Sequence, residues 1–249
     1  MKKTATYTQL LNNSLAGKKQ LALLIDPDKT GAFGLEHTLR IAAEVGLSLV
    51  FVGGSLLTEN HIRDCVKIVK ENTDVPVILF PGSPSQIHAS ADAIFLLSLI
   101  SGRNADLLIG RHVEAAPVLK QSGLEIIPTG YMLIDAGQPT TASYISNTFP
   151  IPYNKPDIAA CTAMAGEMLG LKAIYMDCGS GAAKPASPQM IERVKQSIEI
   201  PLIVGGGIRT KTELHQAFSA GADIAVVGNA VESNPELLYD FGQVIKNPA

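Results

Sequence analysis

Residues 200–232 read IPLIVGGGIRTKTELHQAFSAGADIAVVGNAVE, and this stretch decides the fold. Two β-rich apolar runs, Ile200–Gly205 and Asp223–Gly228, flank an amphipathic segment, Lys211–Ala220. Neither run alternates apolar with polar residues, the pattern of parallel strands covered on both faces. The same unit recurs toward the N-terminus. Further runs are Leu21–Asp26, Leu47–Gly53, Val75–Phe80, Asp92–Ser98, Leu124–Pro128 and Ala173–Asp177. Helical segments Gly34–Glu44, Thr58–Glu71, Ala105–Gln121, Pro156–Leu169 and Pro188–Glu199 separate them. Asn234–Lys246 supplies a last helix, with Pro235 suited to its first turn. Eight such units in 249 residues predict an α/β chain, a TIM (β/α)8 barrel forming a single domain over residues 1–249. The third unit is short: Pro81–Ala91, PGSPSQIHASA, leaves room for one helical turn, so the barrel has a shortened third helix. A doubly wound open sheet is the alternative, but the loop after the first strand, DPDKTG, has no GxGxxG fingerprint.

Lys and Arg number 20 against 23 Asp and Glu, a net charge of −3, so the basic excess that marks nucleic-acid binding is missing. Hydrophobic residues at 46% against 17% charged predict a sizeable core and exclude disorder. Aromatics are 5% and Trp is absent, so that core is built from Val, Ile, Leu and Ala. Cys65, Cys161 and Cys178 are odd in number and form no CxxC pair, which points to a reducing compartment and no structural zinc. No uninterrupted apolar run is long enough for a transmembrane helix. The opening MKKTATYTQLLNNS has no apolar stretch behind its lysines, so no secretory signal is expected and the chain reads as cytoplasmic.

In a barrel of this kind the chemistry sits at the carboxyl ends of the strands. Glycines after the seventh and eighth strands, Gly206, Gly207 and Gly228, let backbone N–H groups approach an anion, and Asn229 follows them. Cys178-Gly179-Ser180-Gly181 extends this phosphate cradle, with the Ser180 hydroxyl as a further donor. Asp26 and the Ser55 hydroxyl suit one Mg²⁺ whose remaining ligands are waters and phosphate oxygens. Asp28 is expected to cap the following helix, whose first turn includes Lys29 and Thr30. An acid at Asp177, inside a phosphate loop, must accept a proton or orient a hydroxyl, or else pair with Lys184 or Arg209. His37, His61, His88, His112 and His215 have no paired metal-binding spacing and read as solvated face residues. Cys178 reads equally as a small packing residue or a nucleophile. Tyr131–Asp157 is too long for an ordinary loop and rich in apolar residues: a lid or trough for a lipid-like ligand, a subunit interface, or both.

The pieces LLIDPDKT, FVGGS, ISGRN, IIPTGYMLI, NKPDIAACTAMAGEMLGLKAIYMDCGSGA, PLIVGGGIRT and GADIAVVGNAVE, in order from residue 21 to about 232, resemble the geranylgeranylglyceryl phosphate synthase family. PTGYMLI and NKPDIA look closer to its archaeal-type group than to the heptaprenyl group, which has a lysine where this chain has Leu24. The resemblance implies a Mg²⁺-dependent prenyltransferase that joins sn-glycerol 1-phosphate to a long prenyl diphosphate through an ether bond, releasing diphosphate. It implies Asp26 and Ser55 as Mg²⁺ ligands. The glycerol phosphate would be held by Tyr175, Met176, Asp177, Cys178, Gly179, Ser180 and Gly181 together with Gly206, Gly207, Gly228 and Asn229. Asp177 and Tyr175 would be catalytic, Asp177 orienting the attacking hydroxyl and taking its proton. The family reads Tyr-Leu-Glu-Ala-Gly-Ser-Gly where this chain has Tyr175-Met176-Asp177-Cys178-Gly179-Ser180-Gly181, so its acid is one methylene shorter. A homo-oligomer, dimer or hexamer, is expected. The competing readings are a metal-independent sugar-phosphate isomerase or lyase on the same barrel, and a non-catalytic phosphate-binding protein.

Overall fold

The unalternating apolar runs pair side by side in chain order. They are β1 (Gln20–Ile25), β2 (Leu49–Val52), β3 (Val77–Leu79), β4 (Ala93–Leu99), β5 (Glu125–Leu133), β6 (Ala173–Asp177), β7 (Leu202–Gly205) and β8 (Ile224–Val227). β8 returns to β1 through Gln20↔Ile224 to Leu23↔Val227, which closes a parallel barrel. The computed structural model describes residues 5–29, 32–59 and 61–246. Around the strands run α2 (Ala32–Val45), α3 (Ile62–Asn72), α4 (Arg111–Ser122), α6 (Pro156–Met168), α7 (Pro188–Lys195), α8 (Lys211–Ser219) and α10 (Leu237–Lys246). Three further helices complete the chain order: α1 (Ala5–Leu15) before β1, α5 (Thr141–Ser146) after β5, and α9 (Asn229–Ser233) after β8. This is the TIM (β/α)8 barrel.

Successive strand side chains point to opposite faces, so each strand feeds two cores. Ala22, Leu49, Phe51, Ile78, Phe95, Ile127, Tyr175, Ile203 and Val226 fill the barrel interior. The intervening residues, such as Leu23, Val50, Met176 and Val204, pack beneath the helices. Phe51 and Phe95 meet edge to face with centroids 5.0 Å apart, and Phe80 lies 5.0 Å from Tyr175 above them. The inner strand residues thus end in an aromatic layer directly under the carboxyl face.

The amino end of the barrel is closed by α1. Leu10 is fully buried among the inner-barrel residues. The Glu125 carboxylate at the start of β5 accepts from the Thr6 and Tyr7 N–H groups at 2.8 and 2.9 Å, satisfying two donors that no turn of helix can. Residues 1–4 lie outside the described residues, as does Thr30.

The third unit holds a 3₁₀ turn, Pro84–Gln86, in place of a helix. Its consequence is a gap in the wall. β3 pairs with β4 only through Ile78↔Ala93 and Leu79↔Ile94, so the carboxyl half of β4 has lost its neighbour there. Other boundaries move too. β5 runs to Leu133, so Tyr131–Leu133 are strand and not lid, held by pairing to β6 as far as Leu133↔Asp177. A π-helical turn, Asp106–Gly110, leads into α4. The single helix expected over Asn234–Lys246 is α10 alone, preceded by α9, and Pro235 sits in the turn between them.

Candidate active site

Two cavities open at the carboxyl face, one polar and one apolar, and they share Gly54, Ser55 and Phe80. The polar one is walled by the loops after β1, β2, β6, β7 and β8. Tyr175, Asp177, Gly179, Ser180 and Gly181 line it from β6, Gly206 and Gly207 from β7, and Gly228 and Asn229 from β8. Met176 and Cys178 turn the other way, into the packing under the helices, so that only their backbone can face a ligand. Burial pushes the Cys178 thiol up, out of thiolate chemistry.

Glycine is needed here for close approach between loops. Gly206 has φ +82°, and a Cβ on it would lie 2.7 Å from the Gly179 nitrogen and 3.0 Å from Asp177 Oδ1. Gly207, at φ +79°, would drive a Cβ to 2.5 Å from the Lys184 carbonyl. The loop after β7 therefore lies directly on the loop after β6. Arg209 bolts the two together by donating to the Ala182 and Ala183 carbonyls at 2.5 and 3.1 Å. Ser180 reaches across to Asn229 Oδ1 at 3.0 Å.

Asp177 is buried, and neither Lys184 nor Arg209 pairs with it. Lys184 lies over the Tyr153 ring, 3.4 Å from its centroid. Asp177 instead accepts from the Tyr131 hydroxyl (Oδ2, 2.5 Å) and from the Gly179 N–H (Oδ1, 2.7 Å). Burial raises its pKa, while those two donors work against the shift. Each oxygen keeps a lone pair for a further donor. Tyr175 packs against Phe80 and Tyr131, and its hydroxyl lies where a Cβ on Gly205 would be 2.5 Å away. Burial holds both tyrosines protonated, as donors.

At the other side of the cavity stand Asp26, Lys29, Ser55 and Glu232. Asp26 Oδ1 accepts from the Asp28 N–H at 3.1 Å, and Lys29 Nζ lies 2.9 Å from Oδ2. The Glu232 carboxylate takes a backbone hydrogen bond from Asp26. Asp28 is expected to cap the helix that follows, whose lead-in at residues 30 and 31 lies outside the described residues. It accepts from the Thr58 N–H and hydroxyl at 2.5 and 2.9 Å, tying the loop after β1 to the loop after β2 that carries Ser55. Among the described residues no group of three His, Cys, Asp or Glu converges as a closed metal cage. One carboxylate and one hydroxyl, both hard oxygen donors, fit Mg²⁺, which keeps waters and takes substrate phosphate oxygens as ligands.

The apolar cavity is an open groove lined mostly by apolar side chains. It runs through the gap left by the missing third helix, between Phe80–Pro84 on one side and Leu97, Leu99, Ala115 and Leu119 on the other. Ala142 and Ile145 of α5 roof it, so the trough expected over Tyr131–Asp157 lies mainly at the third unit, with α5 as its cover. Asn104 fastens α5 by donating to the Ser146 carbonyl at 2.8 Å, and Gln138 donates to the Gly181 carbonyl at 3.0 Å. His112, expected on a solvated face, lines this groove and bonds the Leu97 carbonyl at 2.8 Å. That carbonyl is on the strand half that lost its β3 neighbour. Tyr131 and His112 carried no local signal, because each acts through a partner 46 or 15 residues away.

A model of the PcrB family matches residues 15–245. A geranylgeranylglyceryl phosphate synthase of Spirosoma linguale is 52% identical over 239 residues, 96% of either chain. One from Pyrococcus abyssi is 41% identical over 239 residues, 95% of this chain and 94% of that one. Among solved structures, (S)-3-O-geranylgeranylglyceryl phosphate synthase from Thermoplasma acidophilum, crystallised with its substrate sn-glycerol-1-phosphate, matches with a TM-score of 0.91 at 31% identity over 98% of this chain and 99% of that one. The chain belongs to the PcrB family and is an enzyme of its geranylgeranylglyceryl phosphate synthase branch.

Proposed function

We propose that this enzyme transfers a long prenyl group, geranylgeranyl by preference, from its diphosphate to the free primary hydroxyl of sn-glycerol 1-phosphate. The reaction forms an ether bond and releases diphosphate in a Mg²⁺-dependent step. The observation that carries this reading is the meeting of the two cavities at Ser55, Phe80 and the Tyr131–Asp177 bond. A phosphate-binding cradle opens there into an apolar groove. A sugar-phosphate isomerase or lyase has no use for the groove.

The roles follow from position. Backbone groups of Gly179, Gly181, Gly206 and Gly207 face the glycerol phosphate, with Ser180 and Asn229 beside them. Asp177 orients the primary hydroxyl and accepts its proton, while the Tyr131 hydroxyl donates to Asp177 and the buried Tyr175 ring excludes water. Holding both partners converts an encounter into a positioned reaction. Each CH₂ of the tail buried in the groove contributes roughly 0.8 kcal/mol to binding. Asp26 and Ser55 would hold Mg²⁺, which, when bound, neutralises charge developing on the departing diphosphate. Among the described residues no helix is long and apolar enough to cross a membrane. We infer a homo-oligomer from the apolar side chains left exposed on α4, α6 and the segment after α5.

Incubating the protein with labelled geranylgeranyl diphosphate and sn-glycerol 1-phosphate, with and without excess EDTA, tests the whole reading. A chelator-sensitive ether product is expected. Turnover unaffected by EDTA overturns the metal, and no product with any prenyl diphosphate overturns the reaction.

A further inference from the structure

Lys29 has no place in the reading so far, yet its ammonium is in the polar cavity. It touches Asp26, the carboxylate assigned to Mg²⁺, at 2.9 Å. A divalent cation and an ammonium cannot share one carboxylate oxygen without strong mutual repulsion. A divalent cation that takes Oδ2 of Asp26 therefore releases Lys29. The lysine is free to move: its side chain is 48% exposed while that of Asp26 is 19% exposed, so withdrawing it leaves no void in the core.

The charge inventory says where it goes. Asp26, Asp177 and Glu232 line a cavity that must take an anionic diphosphate, and Lys29 and Arg209 are its lining cations. Arg209 is committed to the Ala182 and Ala183 carbonyls. Lys29 is the cation whose contact the metal itself displaces. As a lysine it carries a full positive charge at neutral pH. Its flexible four-carbon stem keeps the ammonium within the cavity once it leaves Asp26, and a lysine ammonium binds phosphate as a compact point charge.

Resting on the metal reading above, we infer that Lys29 is a diphosphate-binding residue that serves as the counter-ion of Asp26 until a divalent cation takes that carboxylate. Lys29 thus opposes metal binding when the diphosphate is absent and supports diphosphate binding when metal is present. Removing it changes the two affinities in opposite directions, which a merely structural lysine would not do.

The test is a titration of the full chain with Mn²⁺, followed by electron paramagnetic resonance, first alone and then with inorganic pyrophosphate. Lys29→Met is expected to bind Mn²⁺ several-fold more tightly than the wild type without pyrophosphate. In the presence of Mn²⁺ it is expected to bind pyrophosphate about tenfold more weakly, with Lys29→Arg restoring most of that loss. Unchanged pyrophosphate affinity in Lys29→Met, or weaker Mn²⁺ binding, overturns the proposal while Asp26→Asn still abolishes Mn²⁺ binding. If Asp26→Asn leaves Mn²⁺ binding intact, the metal assignment falls and the role of Lys29 with it.

Discussion

The Tyr131 hydroxyl donates to Asp177 Oδ2 at 2.5 Å, and the bond stands where the apolar groove meets the phosphate cradle. Tyr131 lines the groove and Asp177 lines the cradle. Pairing of Leu133 with Asp177 in the β5–β6 ladder sets the register that brings the two side chains together.

Tyr131→Phe removes a donor that holds the Asp177 pKa down against burial. The pKa rises further, so the base protonates at higher pH and the acid limb of kcat/KM moves upward. A group whose native pKa exceeds its unfolded value binds more protons when folded, so its stabilising effect is lost as pH rises through the native value. The variant's Tm should fall more than the wild type's as pH rises through that interval. Profiles of rate and Tm against pH check both signs.

Asp177→Asn keeps the size of the side chain and removes the carboxylate proposed as base. Substrate binding should persist while kcat falls about two or more orders of magnitude. Asp177→Glu should keep activity but lower Tm, because Gly206 leaves little room beside Oδ1. Single-turnover rates and melting on the same samples decide. An Asn variant that is stable and fully active removes Asp177 from the chemistry.

Gly206→Ala places a Cβ against Gly179 and Asp177 at a backbone φ of +82°. The KM for glycerol phosphate should rise at least about tenfold with little change for the prenyl diphosphate, as expected when one contact to a bound phosphate is lost. Gly207→Val clashes with the backbone at Lys184 and Pro185, so its effect should include a lower Tm. Equal KM changes for both substrates in Gly206→Ala would remove the cradle from phosphate recognition.

His112→Ala leaves the Leu97 carbonyl unpaired in an apolar groove, a loss of about 1–3 kcal/mol. The KM for the prenyl diphosphate should rise while that for glycerol phosphate stays put, and His112→Gln should recover part of the difference. Steady-state kinetics with each substrate varied in turn measures the split.

Phe149 and Tyr144 beyond β5, Val113 on α4, and Met168 and Leu169 at the end of α6 are exposed, Phe149 at 94%. Light scattering at micromolar concentration should return a mass of at least twice 26.3 kDa. A monomer would mean that these side chains serve something other than self-association.

Local pattern determined the frame of this protein. Apolar runs without alternation fit strands covered on both faces, and eight of them with helices between, with no GxGxxG after the first, favour a parallel barrel over an open sheet. Strand-end glycines and Asp26, Ser55 and Asp177 then marked the face that carries chemistry, because a barrel of this kind exposes its strand ends there. Eleven residues between the third and fourth strands could not hold a helix, and that too was legible in the sequence.

What the missing helix does became visible only in the tertiary structure. The groove exists because β4 is long where β3 is short, and strand length is set by pairing partners rather than by the run's own composition. The roles of Tyr131, His112, Asp28 and Lys29 are likewise decided by side chains that meet across the sheet or between loops. Asp28 reads locally as a helix cap, and its two bonds from Thr58 of the next loop have no local signal. Periodicity reports how much of a residue is buried and on which face. It carries no record of which distant residue shares that burial, and the partner decides whether a buried polar group stabilises the fold, holds a ligand or moves a proton.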